Sequence, residues 1–229
     1  MQAAHNRGMR TTIAARPLPT VLLTGFDPFG GERLNPSWLA VQSLQGRRIA
    51  GHKVVAAQLP TVFGASLVEL ARLLREHRPA LVICVGQAGE RAAISLERIA
   101  INVNDARIAD NADAQPVDTP VVAGGPAAYF TTLPIKAMLL ALQGEGIAVE
   151  VSQTAGTFVC NHVFYGLMHH LATRRGFKRV RGGFVHVPWL PEQGQPSMTT
   201  DELVRSLRLL IATALATPQD IVQGAGAVS

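Results

Sequence analysis

The chain is short of cysteine, aromatic residues and charge. Two cysteines in 229 residues rule out a disulfide framework. They fit a reducing, cytoplasmic compartment. Charged residues make up only 16% and hydrophobic residues 48%, which excludes a disordered chain and suits a buried sheet. No apolar run reaches the roughly 20 residues needed to cross a bilayer, so no membrane association is expected. The beginning of the chain has no apolar segment of the secretory type. Also missing are a dinucleotide fingerprint, a Gly-Lys-Ser/Thr phosphate loop, an H-E-x-x-H pair and paired cysteines. These absences argue against a nucleotide cradle and a zinc site, and neither metal nor cofactor is expected.

The net charge is +5 and the isoelectric point about 9.9. The basic residues are scattered. Their densest group, Arg174, Arg175, Lys178, Arg179 and Arg181, reads as a solvated helix end where cations complement the dipole. No nucleic-acid partner is therefore expected. Residues 1–18 are polar, carry Arg7, Arg10 and Arg16 and lack acids, as a disordered extension or a transit peptide would. Residues 218–229 end in Gln223-Gly-Ala-Gly-Ala-Val-Ser229 and read as a flexible tail. Residues 19–217 remain as one domain.

Within it, apolar runs alternate with helical periodicity. Strands are predicted over 21–25, 53–59, 80–85, 148–152 and 181–187. Helices are predicted from Pro36 (capped by Asn35) and over 65–77, 134–143, 161–174 and 200–216. Residues 93–103 are strand-like and give way to an irregular stretch through Pro120, a candidate functional excursion. The alternation predicts a three-layer α/β sandwich around a mostly parallel, twisted sheet. Its site is expected at the carboxyl ends of strands, where Gly25 and Phe26, Gly86 and Gln87, Cys160, and His186 fall.

Cys160 follows Ser152-Gln-Thr-Ala-Gly-Thr-Phe-Val, where a strand yields to a helix. Unpaired N–H groups and the helix dipole there favour the thiolate. Cys84 lies in Ala80-Leu-Val-Ile-Cys-Val85 and reads as a buried, inert thiol. A thiol nucleophile needs a base and a group to orient it. Seven histidines are available. His162 is two residues from Cys160 and so projects from another side of the helix. His186 stands at a predicted strand end before Pro188. Asp27, Glu90, Glu97, Asp105 and Asp110 are candidates for the acid. Glu97 sits among apolar neighbours, where a carboxylate needs a partner, and a local pair with Arg98 is the structural alternative. Phe26 and Phe29 share one glycine-rich loop, either as local core or as walls for a small flat ligand.

Four blocks carry a resemblance. Gly86-Gln-Ala-Gly-Glu-Arg-Ala-Ala-Ile-Ser-Leu-Glu-Arg-Ile-Ala-Ile-Asn102 and Ser152–Asn161 resemble the glutamate and cysteine signatures of the pyroglutamyl peptidase I family, also called pyrrolidone-carboxylate peptidases. Thr24–Gly31 with Asn35-Pro36-Ser37, and Phe184-Val-His-Val-Pro188, resemble its other blocks, in order from about residue 20 to about residue 215. The resemblance implies a phosphorylase/hydrolase-like sandwich and a cytoplasmic, cofactor-free cysteine exopeptidase, assembled as a dimer or tetramer. Such an enzyme removes the N-terminal pyroglutamyl residue from peptides through a thioester. It implies Cys160 as nucleophile, His186 as acid and base, and Glu97 as the group orienting His186. By the same resemblance Arg91 lies near the oxyanion, Phe26, Phe29 and Phe158 wall the ring, and Asn35 and Gln87 lie near the substrate amides. Glu90 stands where the family usually has a second glycine. Two alternatives stay open at this point: a phosphate-using, nucleoside phosphorylase-like enzyme, and a pyroglutamyl-binding homologue of low activity.

Overall fold

The computed structural model of the chain describes residues 18–226, and residues 1–17 of the expected extension lie outside it. Seven strands form one sheet. At its centre β1 (Thr20–Phe26), β3 (His52–Leu59), β4 (Leu81–Gln87) and β9 (Arg181–Val187) run parallel. The two-residue strand β2 (Arg48–Ile49) pairs antiparallel with β3 at one edge. At the other edge β5 (Ile94–Glu97) lies antiparallel to β9 and parallel to β8 (Val149–Ser152). The order is β2-β3-β1-β4-β9-β5-β8. A separate ribbon pairs β6 (Ile99–Ile101) with β7 (Ala128–Phe130). The expected mostly parallel, mixed sheet is what forms. Neither β2 nor β7 is foreseen, since two or three residues carry no readable period.

Helices cover both faces. On one side α1 (Pro36–Gln42), α3 (Ile135–Gly144) and α5 (Thr200–Ala216) pack with Ile83, Val85, Val185 and Val187. On the other α2 (Ala65–His77) and α4 (Val159–Thr173) pack with Val82, Cys84 and Phe184. Alternation along a strand decides which residue meets which layer. In β4 and β9 the even-numbered residues Cys84, Gly86, Phe184 and His186 project toward α4, and register sets Cys84 beside Phe184 and Gly86 beside His186. The functional side chains therefore share one face at the carboxyl end of the sheet.

The chain beyond 217 differs from expectation. The Asp220 carboxylate accepts from the backbone N–H groups of Lys136 and Ala137, each at 3.0 Å. It caps α3, whose own N-cap residue, Pro134, has no side chain able to do so. Lys136 Nζ donates to the Gln223 carbonyl at 2.8 Å, and Ala225 packs on the core. Asp220, Gln223 and Ala225 thus touch the domain, while the residues between them are exposed. Composition alone suggested fraying because glycine and alanine advertise none of these contacts.

Candidate active site

Cys160 occupies the first turn of α4. The helix is capped by Phe158, which offers no side-chain acceptor. The first helical hydrogen bond runs from His162 N to Phe158 O at 3.1 Å. The N–H groups of Val159, Cys160 and Asn161 consequently have no protein acceptor among the described residues. Asn161 locks this helix end in place. Its amide donates to the carbonyls of Ile101 (2.9 Å) and Val103 (3.0 Å) and accepts from Ile101 N (3.0 Å). Nothing in the sequence reading singled out Asn161, although a buried Asn beside the thiol is the available signal.

Gly86 makes room for the thiol. A β-carbon there would come within 2.8 Å of Cys160 Sγ and 2.8 Å of Phe184 Cζ. Cys160 thus sits directly over the strand position that is in register with His186. His186 is buried, and its Nδ1 lies 2.7 Å from Glu97 Oε1. A carboxylate oxygen can only accept, so Nδ1 carries a proton and the ring turns Nε2 away from Glu97. Glu97 is fully buried at the end of β5, and its Oε1 also accepts from Arg91 Nη1 at 2.9 Å. Its Oε2 has no protein partner among the described residues. Ser95 pairs with His186 in the β5–β9 register, so Glu97, two residues on, shares its face. The alternative pairing of Glu97 with Arg98 does not form. Arg98 reaches the Ala225 carbonyl instead, at 3.4 Å.

Burial pushes the Cys160 thiol up to about 12; Glu97 adds to the rise and Arg91 opposes it. Burial also raises Cys84 to about 12, with Thr24 opposing. The expected thiolate-favouring helix terminus is therefore outweighed: loss of water and a nearby carboxylate keep the proton on sulfur.

The other sequence-selected residues are placed unequally. Phe29 and Phe158 meet with ring centroids 6.0 Å apart. Phe63, which the sequence reading missed as a lone loop aromatic, joins them edge-on to Phe158 at 5.4 Å. Beside Phe158 a cavity of about 400 Å³ is lined by Asp105, Arg107, Ile108, Gly156 and Thr157. Phe26 is only 2% exposed and packs on Phe184 at 6.3 Å, because it ends a central strand facing α4. Asn35 has its carbonyl taken by Ser37 N (3.0 Å) and Ser37 Oγ (2.7 Å), while its amide donates to Asp27 O (3.0 Å). Its visible work is capping α1 and fixing the Phe26–Phe29 loop. Gln87 Oε1 accepts from Gln193 at 3.3 Å. Arg91 is turned to Glu97 and, at 3.4 Å, to the Thr154 carbonyl.

A sequence profile described as pyroglutamyl peptidase matches residues 19–217. The chain belongs to the pyroglutamyl peptidase family. It is 60% identical over 214 residues to a pyrrolidone-carboxylate peptidase of Cupriavidus taiwanensis, covering 91% of this chain and 99% of that one. A Bacillus cytotoxicus protein of the same name is 53% identical over 214 residues, covering 91% and 99%. The crystal structure of pyroglutamyl peptidase I from Bacillus amyloliquefaciens superposes with a TM-score of 0.87 at 48% identity, covering 91% of this chain and all (100%) of that one. A mutant pyrrolidone carboxyl peptidase from Pyrococcus furiosus gives 0.83 at 42% identity, covering 86% and 99%. The phosphorylase alternative finds no support in these relatives, and Arg91, its would-be phosphate ligand, is bound to Glu97. The family's usual glycine at position 90 also has a physical reason. Glu90 has φ +67°, in the left-handed region where a β-carbon is strained. Its side chain is exposed, so the added charge points to water.

Proposed function

We propose that this pyroglutamyl peptidase family member hydrolyses the N-terminal pyroglutamyl residue from peptides, with Cys160 as nucleophile, His186 as acid and base, and Glu97 orienting His186. The observation that carries the reading is the 2.7 Å His186–Glu97 contact next to a thiol at an uncapped helix start. On substrate binding, Nε2 of His186 takes the Sγ proton and sulfur attacks the pyroglutamyl carbonyl carbon. Glu97 stabilises the imidazolium formed. The developing oxyanion is met by the unpaired N–H groups of the α4 start, each such donor contributing about 3 kcal/mol. Collapse breaks the C–N bond, and His186 protonates the departing amine. A water deprotonated by His186 then hydrolyses the thioester, restoring the thiol and releasing pyroglutamate. Arg91 acts through Glu97, holding a fully buried carboxylate.

Pyroglutamate is a flat, uncharged lactam. The cluster of Phe29, Phe63 and Phe158 suits its ring, whereas an ordinary N-terminus would carry an ammonium against those rings at a desolvation cost. Gln87 and Asn35 remain near the loops that would read the lactam amide, Asn35 as their brace. A cytoplasmic homo-oligomer, a dimer or tetramer, belongs to the same reading.

The test is release of a chromophore from a pyroglutamyl amide by purified protein, before and after thiol alkylation. Activity that needs no phosphate and disappears on alkylation is expected. Activity that survives alkylation removes the thiol mechanism.

A further inference from the structure

We infer that His162, which the chemistry above does not use, is a positioning residue that holds the aromatic wall of the pocket and so selects the size of the lactam ring. The inference rests on the pyroglutamyl peptidase reading and deepens it.

His162 is buried, and every polar atom of its ring is engaged. Nε2 lies 2.9 Å from the backbone nitrogen of Gly64, an N–H donor, so Nε2 must accept. Nδ1 must then carry the proton, and it lies 2.9 Å from Asn104 Oδ1. The Asn104 amide is oriented to match, because its Nδ2 donates to the Pro120 carbonyl at 3.3 Å. One neutral ring thus ties three segments together: α4, the loop before α2 and the excursion from the sheet.

Two of those segments carry the wall. Phe63 precedes Gly64, and its ring meets His162 edge-on at 5.3 Å and Phe158 at 5.4 Å. The backbone N–H of His162 holds the Phe158 carbonyl at 3.1 Å. From the other side, Asp110 accepts from Phe63 N at 2.8 Å and from Ala112 and Ala114 N at 2.8 and 2.9 Å. Phe63 is therefore fixed through its backbone by Asp110 and through its neighbour and ring by His162. Burial keeps His162 neutral by lowering its pKa to about 4, with Asp110 opposing. Protonation would set an N–H against the Gly64 N–H.

Removing the ring would leave the Gly64 donor and the Asn104 acceptor unpaired and open space beside Phe63. The thiol, His186 and Glu97 would be untouched. Binding and ring-size selectivity should suffer while the chemical step does not. The experiment compares two reporter amides, one of pyroglutamate and one of its ring-expanded six-membered lactam homologue, on wild type, His162→Ala and His162→Gln. Gln offers one donor and one acceptor on a similar reach. For His162→Ala, KM for the pyroglutamyl reporter should rise about tenfold with kcat within about threefold, and the preference for the smaller ring should fall about tenfold, as unpaired buried groups imply. His162→Gln should recover most of both.

A wild-type ring preference in a folded His162→Ala overturns the inference, as does a loss confined to kcat. Should that variant not fold, Phe63→Leu carries the same comparison, and an unchanged ring preference there overturns it too. Wild-type protein that cleaves neither reporter removes the proposed function along with this inference. Wild type that discriminates, with variants that discriminate equally, removes this inference alone.

Discussion

Cys84 and Cys160 face the same side of the sheet, two strand positions apart in effect, since Cys160 sits over Gly86. Burial raises both thiols to about 12. One is inert and the other is the proposed nucleophile, so acidity of the resting thiol does not tell them apart. What differs is company. Cys84 is fully buried in the middle of a central strand, among Thr24, Phe184 and Val82. Cys160 is half-buried, starts a helix with unpaired N–H groups, and sits over the strand position in register with His186. On the proposed mechanism the nucleophile is made on demand by a base, not stored as an anion.

The sharpest way to break this contrast is to exchange each sulfur for oxygen. Cys160→Ser should lower kcat/KM by about 10⁴ or more on the pyroglutamyl reporter, whereas Cys84→Ser should leave it within a few-fold. Equal losses would erase the distinction. Next comes the base. Glu97→Gln keeps the volume but removes the negative charge that stabilises the His186 imidazolium and lets an amide N–H compete for Nδ1, and kcat should drop by about 10² to 10⁴ with little change in KM. A matching drop in KM would instead point to substrate contact.

The state of the resting thiol is read by alkylation. The raised Cys160 pKa means the thiolate fraction grows through the alkaline range, so the iodoacetamide rate should climb about tenfold per pH unit from about pH 6 to 9. A flat rate across that window would reveal a preformed thiolate–imidazolium pair. Cys84 should stay unlabelled throughout, because it is fully buried. The smallest effect concerns the loop beside the site. Glu90→Gly should relieve the left-handed strain, adding about 0.5–1 kcal/mol and raising Tm by about 2 °C, with activity unchanged. A large gain in turnover would favour the low-activity alternative.

Much of the fold was legible because period and punctuation agreed. Helix α2 ends where Pro79 demands it, and β9 and α5 have the predicted limits of 181–187 and 200–216. Helix α4 begins two residues earlier than its apolar face suggests, which puts Cys160 inside the first turn. The thiol itself was legible from local physics. Its partners were not: Glu97 and His186 are 89 residues apart and meet only because β5 runs antiparallel to β9. Family resemblance supplied that pairing, and geometry shows the contact. Phe26 closes β1, one residue beyond the predicted strand end, because the strand continues into the core. Phe63 and Asn161 escaped notice, and His162 was set aside, because their partners are far away in sequence.

Trapping the intermediate tests the central claim most directly. Protein mixed with a pyroglutamyl ester and quenched in acid should carry one pyroglutamyl group, mapped by peptide mass analysis to the peptide containing Cys160. It should be lost on prior alkylation. An adduct on any other residue, or steady turnover with the Cys160 peptide unmodified and fully alkylated, would contradict it.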